Sequence, residues 1–217
     1  MISSFLSFIQ KSPSAFHAVE EITAQLMENG FESLNEMSQW NVQPGGRYFV
    51  TRNRSSVIAL TIPESGMSHF QIVSSHSDSP MFKLKASCED VVCGKYLRLN
   101  TERYGGMIMS SWFDRPLSIA GRVLVREGGK IVTRLVDLGR DAAIIPNMPI
   151  HFNREVNDGY KYNAQTDLLP LYAESAEKGR LMQDVAEAAG VNADDIVGSD
   201  LFLYNRMPGT AWDAYFS

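Results

Sequence analysis

The middle of the sequence, from Phe82 to about Leu171, breaks into short apolar and polar runs and contains almost no convincing helical pattern. The strand-like runs are residues 83–86, 96–99, 119–126, 131–138 and 150–152. Gly128 and Gly129 separate two of these runs, and a glycine pair in that position is typical of a tight β-hairpin. Many short strands at this spacing predict a small β barrel or sandwich.

The start of the chain has a different pattern. A helix is predicted to begin near Ser12 or Ser14 and to end at Gly30, because apolar residues recur between them at helical spacing. Two strand-like runs follow at 47–52 and 56–62, separated by a short polar stretch, and they are predicted to form a β-hairpin or adjacent strands.

The end of the chain returns to a helical pattern. Apolar residues recur at helical spacing from Ala173 until Gly190, where a helix is predicted to stop. Residues 200–204 then form another short apolar strand. The order of the patterns therefore predicts the α/β class, with one α/β domain interrupted by an inserted β-barrel-like module.

A third strand is predicted at 69–75, and polar residues follow it directly. Its apolar centre indicates a buried strand, and the ends of such strands are where ligands bind in open α/β sheets. His76 and Asp78 lie two residues apart, so on extended backbone they point to the same side. The pair is either a metal ligand with the carboxylate that orients it or a hydrogen-bonded turn.

A second histidine, His151, lies between Ile150 and Phe152. A histidine with such neighbours is either a structural side chain or a ligand or catalytic group, and the pattern alone leaves both open. Arg154 lies three residues further on and is either solvated or able to bind a carboxylate. His17 is assigned a structural role in the first helix. No G-x-S-x-G, H-E-x-x-H or Walker motif is present, so serine-hydrolase chemistry has little support.

Charge and hydropathy exclude some partners. The 20 basic and 25 acidic residues are interspersed, which argues against binding to nucleic acid. No apolar run approaches the roughly 20 residues of a membrane span, and the start lacks the pattern of a secretion signal. We therefore expect a cytoplasmic protein that does not enter membranes. Cys88 and Cys93 are then expected to be reduced thiols.

Several motifs, taken together and in order, resemble the M18 family of zinc-dependent aspartyl aminopeptidases, and the resemblance spans nearly the whole chain. The motifs are Ser12-Pro13-Ser14-x-Phe16-His17-Ala18-Val19, Ser75-His76-Ser77-Asp78-Ser79-Pro80, Trp112-Phe113-Asp114-Arg115, Ile150-His151-Phe152-Asn153-Arg154, Asn163-x-Gln165-Thr166-Asp167-Leu168-Leu169-Pro170 and Asp200-Leu201-Phe202-Leu203-Tyr204.

The resemblance implies a domain arrangement and an assembly. Residues 1–88 would begin an α/β peptidase domain, residues 89–196 would form a β-rich dimerisation domain, and residues 197–217 would return to the peptidase domain. Family members form dimers that build a dodecamer.

The resemblance also implies a reaction and its residues. Two divalent metal ions, usually Zn²⁺, would act in the removal of an N-terminal Asp or Glu from a peptide substrate. His76 becomes a metal ligand and Asp78 the catalytic carboxylate beside it. His151 becomes the histidine presented to the active site of the dimer partner, with a role at the metal as an alternative.

The family is longer than this chain, and its remaining metal-site residues have no counterpart here. Because a two-metal site needs about four to six protein ligands and one histidine cannot hold zinc tightly, we expect this chain alone to be a poor or inactive catalyst. The alternative is a truncated, noncatalytic assembly module that derives from the same family.

Overall fold

The structure is a computed structural model that describes residues 2–212. The chain divides into two compact units. The first unit contains the described residues 2–79 and 209–212, and the second unit contains residues 80–208. The boundaries expected from the sequence, 88/89 and 196/197, both fall inside strands of the second unit.

The first unit contains two helices and three strands. They are α1 (Ile2–Gln10), α2 (Ala15–Glu28), β1 (Glu32–Ser33), β2 (Arg47–Arg52) and β3 (Ser56–Thr61). Helix α2 follows Ser14 and ends before Gly30, whose φ of +79° lies in the left-handed region, so the predicted helix is confirmed. Helix α1 was not predicted.

The core of the first unit lies between α2 and the sheet. Strands β2 and β3 form the predicted antiparallel hairpin, and β1 adds to the other edge of β2 in parallel. The buried apolar side chains of α2 are Phe16, Ala18 and Val19. Those of β2 are Tyr48, Phe49 and Val50, which alternate between the two faces of the sheet. No residue of β3 is buried.

The strand predicted at 69–75 is wrong for this structure. These residues have no regular secondary structure, and all seven are exposed. A strand that is buried on both faces requires a neighbour on each side and cover above and below. Among the described residues, the sheet of the first unit ends at β3 and supplies no such neighbour.

The second unit is a six-stranded antiparallel sheet with one helix, which agrees with the predicted β-rich interior. The strands are β4 (Met81–Val92), β5 (Tyr96–Tyr104), β6 (Leu117–Glu127), β7 (Lys130–Asp137), β8 (Leu171–Glu174) and β9 (Ile196–Asn205). Their order in the sheet is β7-β6-β9-β4-β5-β8. The strand predicted at 200–204 is therefore confirmed, and it pairs with β6 and β4.

Two features of β6 follow from glycine. Gly128 and Gly129 have φ values of +55° and +78°, as a two-residue hairpin turn requires, so the predicted hairpin is confirmed. Gly121 lies so close to β9 that an added Cβ would be 1.9 Å from the carbonyl oxygen of Asp200. Only glycine permits β6 and β9 to pair at this point.

Helix α3 (Arg180–Ala189) begins later than predicted. The residues from Ala173 onward first complete β8 and then form a short 3₁₀ turn at Ser175–Glu177. The predicted stop is confirmed, because Gly190 caps the helix with a φ of +67°. Leu181 and Val185 pack into the core of the second unit, whose largest buried members include Phe82, Leu99, Leu117, Ile119 and Leu203.

No helix in the part of the chain that the structure describes combines the length and the apolar character that crossing a membrane requires.

Candidate active-site residues

His76 and Asp78 form a hydrogen-bonded pair in the first unit. The Nδ1 atom of His76 lies 3.0 Å from Oδ1 of Asp78. The imidazole is 93% exposed, whereas the carboxylate is 35% exposed. When Nδ1 carries the proton, the lone pair is on Nε2, which points away from this bond. A metal-bound histidine usually has this arrangement, with a carboxylate holding the second ring nitrogen.

The backbone between these two residues is attached to the neighbouring hairpin. The hydroxyl of Ser77 donates a hydrogen bond of 3.0 Å to the carbonyl oxygen of Ser55, 22 residues earlier. Ser55 belongs to the turn that precedes β3. The pair is therefore held beside the hairpin, although the segment that leads to it has no regular structure.

His76 and Asp78 have the chemistry of one zinc ligand and its orienting carboxylate, but they do not complete a site. Among residues 2–212, no group of three or more His, Cys, Asp or Glu side chains is placed to hold a metal ion. Zinc in proteins usually has three or four protein ligands. Within the described residues, His76 and Asp78 therefore fit part of a metal site.

His151 lies in a turn of the second unit, not in a strand as predicted. The amides of Phe152 and Asn153 donate to the carbonyl oxygen of Pro149 at 2.9 and 3.1 Å. The proline at 149 and the compact turn prevent strand pairing here. His151 is exposed, and its neighbour Phe152 is 81% exposed.

The loop that carries His151 is fastened at both ends by carboxylates. Oδ1 of Asp114 accepts a hydrogen bond of 2.9 Å from the amide of Asn147. At the other end, Oδ2 of Asp167 accepts from the amide of Asn163 at 2.8 Å and from the hydroxyl of Tyr160 at 3.2 Å. The negative charge of Asp167 raises the pKa of Tyr160 above its ordinary value.

Residues 8–214 match the sequence model of the family described as aminopeptidase I zinc metalloprotease (M18). The chain belongs to the M18 family. It is 44% identical over 212 residues to a probable M18 family aminopeptidase 2 of Clostridium acetobutylicum, a match that covers 94% of this chain and 49% of the relative. The chain therefore spans about half the length of the curated relatives it matches.

Solved structures of M18 proteins have the same fold over this chain. The Ape4 and Nbr1 complex matches with a TM-score of 0.91 at 32% identity, over 98% of this chain and 45% of that one. The mApe1 dodecamer of S. cerevisiae matches with a TM-score of 0.78 at 26% identity, over 98% and 49% of the two chains.

Two of the motifs that resemble M18 proteins have structural roles in loops and turns. For Asp114 and Arg115 the sequence leaves open an ion pair or the stabilisation of a turn, and in the structure Asp114 accepts from the amide of Asn147 while Arg115 contacts Met207. In the motif around Asn163, the backbone and side-chain bonds form a closed turn. Asn and Asp spaced two to four residues apart often bond to nearby amides, and this signal was available in the sequence.

The remaining histidines of this M18 chain lie outside the candidate site. Nδ1 of His17 is 2.8 Å from the hydroxyl of Ser14 at the start of α2, as expected for a structural histidine. His69 is exposed and lies 3.0 Å from the hydroxyl of Ser68. Arg154 is exposed next to the His151 turn.

His151 lines neither of two cavities in the second unit. One of about 340 Å³ is formed around α3, and another of about 670 Å³ is formed next to β8. The first is filled by an ion-pair network in which Arg140 and Arg180 both contact Asp184. Three carboxylates and two guanidinium groups line this cavity, so its lining has a formal charge of −1.

Proposed function

We propose that this chain is part of a metal-dependent aminopeptidase that removes N-terminal residues from peptides. The observation that carries the proposal is the hydrogen bond between His76 and Asp78, because it occurs inside a motif of the family to which the chain belongs. Acidic N-terminal residues, Asp or Glu, are the proposed substrates. A cytoplasmic location is part of the same proposal.

In this proposal His76 is one ligand of a site for two divalent metal ions, usually Zn²⁺, through Nε2. The bound ions would activate a water molecule and polarise the scissile carbonyl. Asp78 fixes the ring of His76 through Nδ1, which strengthens the other nitrogen as a donor. The hydrogen bond from Ser77 to Ser55 keeps the pair from rotating with the exposed segment before it.

His151 is proposed to act in the active site of the partner subunit of a dimer. Three observations support this role: the imidazole is exposed, its turn is fastened by Asp114 and Asp167, and large apolar side chains next to it are exposed. Such apolar residues are Met148, Ile150 and Phe152. An exposed apolar loop of fixed shape is suited to insertion into another subunit. There His151 would contact the substrate or stabilise the oxyanion, with a metal role as the alternative.

We propose that catalysis and dimerisation belong to the separate domains inferred from the sequence. Residues 1–88 and 197–217 are assigned to the peptidase domain and residues 89–196 to dimerisation, and the assembly is a homo-oligomer. One solved M18 structure is described as a dodecamer, which supports an oligomer for the family. The chain alone is proposed to be inactive, because the described residues hold no complete group of metal ligands.

A noncatalytic assembly module is the second candidate function. The observation that favours it is the asymmetry of the two units, since the second unit has a large core of its own while the first has a small one. In that case the chain would bind other subunits through residues 80–208 without taking part in catalysis.

A complementation experiment tests the enzyme proposal. We define the fusion as residues 1–217 joined in frame to the second half of the Clostridium acetobutylicum relative. The fusion should release Asp from an Asp-peptide in a metal-dependent reaction, and His76→Ala and His151→Ala should each abolish it. Because His151 is proposed to act across the dimer, mixing the two inactive variants should restore part of the activity.

His69→Ala, an exposed histidine of the same unit, should leave activity near that of the parent. A fusion that folds and assembles but shows no turnover would favour the assembly module. Mixed dimers without recovered activity would count against the placement of His151 in the partner's site.

A further inference from the structure

The His151 loop, which we define as residues 147–163, leaves and re-enters the second unit at one place. Just before the loop, Ile145 is fully buried and pairs with Phe113 in an isolated parallel bridge. Near its end, the ring of Tyr162 packs on the ring of Phe113, with centroids 5.0 Å apart. Phe113 is itself buried, so one core residue contacts the chain at both ends of the loop.

Asp114, the next residue, contacts the start of the loop through its backbone and its side chain. Its amide donates a hydrogen bond of 2.9 Å to the carbonyl oxygen of Ile145. Its Oδ1 atom accepts a hydrogen bond of 2.9 Å from the amide of Asn147. These two bonds fix the direction in which the chain enters the loop.

The backbone of Asp114 has an unfavourable conformation. Its φ of +55° lies in the left-handed region, which disfavours residues with a Cβ atom and which Asn and Asp tolerate better than most. Such conformations persist where surrounding contacts hold them, and they are frequent in clamps. Glycine would adopt this conformation without a steric cost, but it has no oxygen to accept from the amide of Asn147.

The connection from Asn147 to His151 is short and hydrogen-bonded. Oδ1 of Asn147 accepts from the amide of Met148 at 2.9 Å. The amide of Phe152 donates to the carbonyl oxygen of Pro149 at 2.9 Å and closes the turn that contains the histidine. The contact at Asp114 is therefore continuous with the turn of His151 through local bonds.

We propose that Asp114 is a positioning residue for His151. Its carboxylate closes the entry of the His151 loop, so that the turn has one conformation in the chain before it meets another subunit. A loop that is already ordered loses less conformational entropy on association. The inference rests on the proposed function for what the imidazole does, whereas the fixed conformation of the loop is independent of catalysis.

NMR spectroscopy of the 217-residue chain tests the proposal. The two readouts are hydrogen exchange at the amide of Asn147 and the Cε1–H signal of the His151 ring, which should be single and sharp in the parent. In Asp114→Ala the amide should exchange about tenfold faster, as expected for the loss of a hydrogen bond to a charged acceptor, and the ring signal should broaden or split. Asp114→Asn keeps an acceptor oxygen and should behave like the parent.

Asp114→Gly separates positioning from stability. It removes the carboxylate and also the unfavourable backbone conformation, so in urea it should be more stable than Asp114→Ala. We nevertheless expect it to match Asp114→Ala in both NMR readouts, because neither variant has the acceptor. A merely structural role would instead order the NMR changes by stability, with glycine between aspartate and alanine. Asp114→Gly also gives the comparison if Asp114→Ala does not fold.

A matched control lies in the same loop. Asp158 is exposed, and Asp158→Ala removes the same charge without touching the entry of the loop, so both readouts should remain those of the parent.

Several results would overturn the inference. They are an amide of Asn147 that stays protected without the carboxylate of Asp114, a His151 signal that is already broad or split in the parent, and an Asp114→Asn variant that behaves like Asp114→Ala. None of these readouts depends on turnover. A fixed His151 loop in a fusion that shows no turnover would support the inference and refute the enzyme proposal.

Discussion

Glu89 caps a helix that is far from it in the sequence. Its two carboxylate oxygens accept hydrogen bonds from the amides of Gly179 at 2.9 Å and Leu181 at 3.3 Å. Gly179 is the N-cap residue of α3, and it has no side chain that could accept a hydrogen bond from the first amides of the helix. Glu89 lies where the register of β4 and β5 shifts.

Removing this cap should destabilise the second unit. A lost side-chain cap costs about 1 kcal/mol, and a lost negative charge at a helix N-terminus costs about 0.3–1 kcal/mol more. We therefore expect Glu89→Ala to lower the free energy of unfolding by roughly 1–2 kcal/mol. Glu89→Gln keeps one acceptor oxygen and should cost about half as much.

Urea unfolding followed by the fluorescence of Trp112 measures the effect. This side chain packs edge-on against Phe82 in the second unit, with ring centroids 5.0 Å apart. Trp40 and Trp212 lie in the first unit and are changed to Phe so that the signal reports one unit.

The control lies in the same helix. Glu187 is in its last turn, where a negative charge opposes the helix dipole, so Glu187→Gln should not lower the free energy of unfolding. A Glu89→Ala variant as stable as the parent would refute the capping argument. So would equal losses in Glu89→Ala and Glu187→Gln.

Two further predictions concern ionisable groups. Burial raises the pKa of Asp200, but Lys83 and Arg122 lower it more, so the net pKa lies below 3.8. The ionised carboxylate therefore stabilises the fold above pH 3.8, and this stabilisation is lost as the pH falls through the folded pKa. Urea unfolding at several pH values should show that the Asp200→Asn variant loses less free energy of unfolding on acidification than the parent. Burial raises the pKa of Cys88 to about 11, so only the exposed Cys93 should react rapidly with a thiol reagent.

Sequence patterns predicted the elements that are held by contacts between residues close together in the sequence. The Gly128–Gly129 turn fixes its own backbone, and the hairpin at 47–61 forms around a short polar turn. The start of α3 was misplaced because its cap is Glu89, which lies 90 residues before Gly179. A contact at that separation leaves no signal in a local window.

The prediction at 69–75 failed for a different reason. An apolar run indicates that a segment is suited to burial, but burial also depends on residues that are distant in the sequence, and the described residues leave 69–75 exposed. The His76 and Asp78 pair was predicted from a spacing of two residues, and the structure brings them within 3.0 Å. The anchoring of the His151 turn by Asp114 depends on a contact 33 residues apart and was not predictable locally.

The central claim is that His76 is a ligand in a metal-dependent peptidase site that this chain does not complete alone. The most direct measurement is the zinc content and Asp-peptide turnover of three purified proteins: the fusion, its His76→Ala variant and the 217-residue chain. We predict bound zinc and turnover in the fusion, loss of both in His76→Ala, and neither in the chain. A His76→Ala fusion that keeps its zinc and its activity would contradict the account.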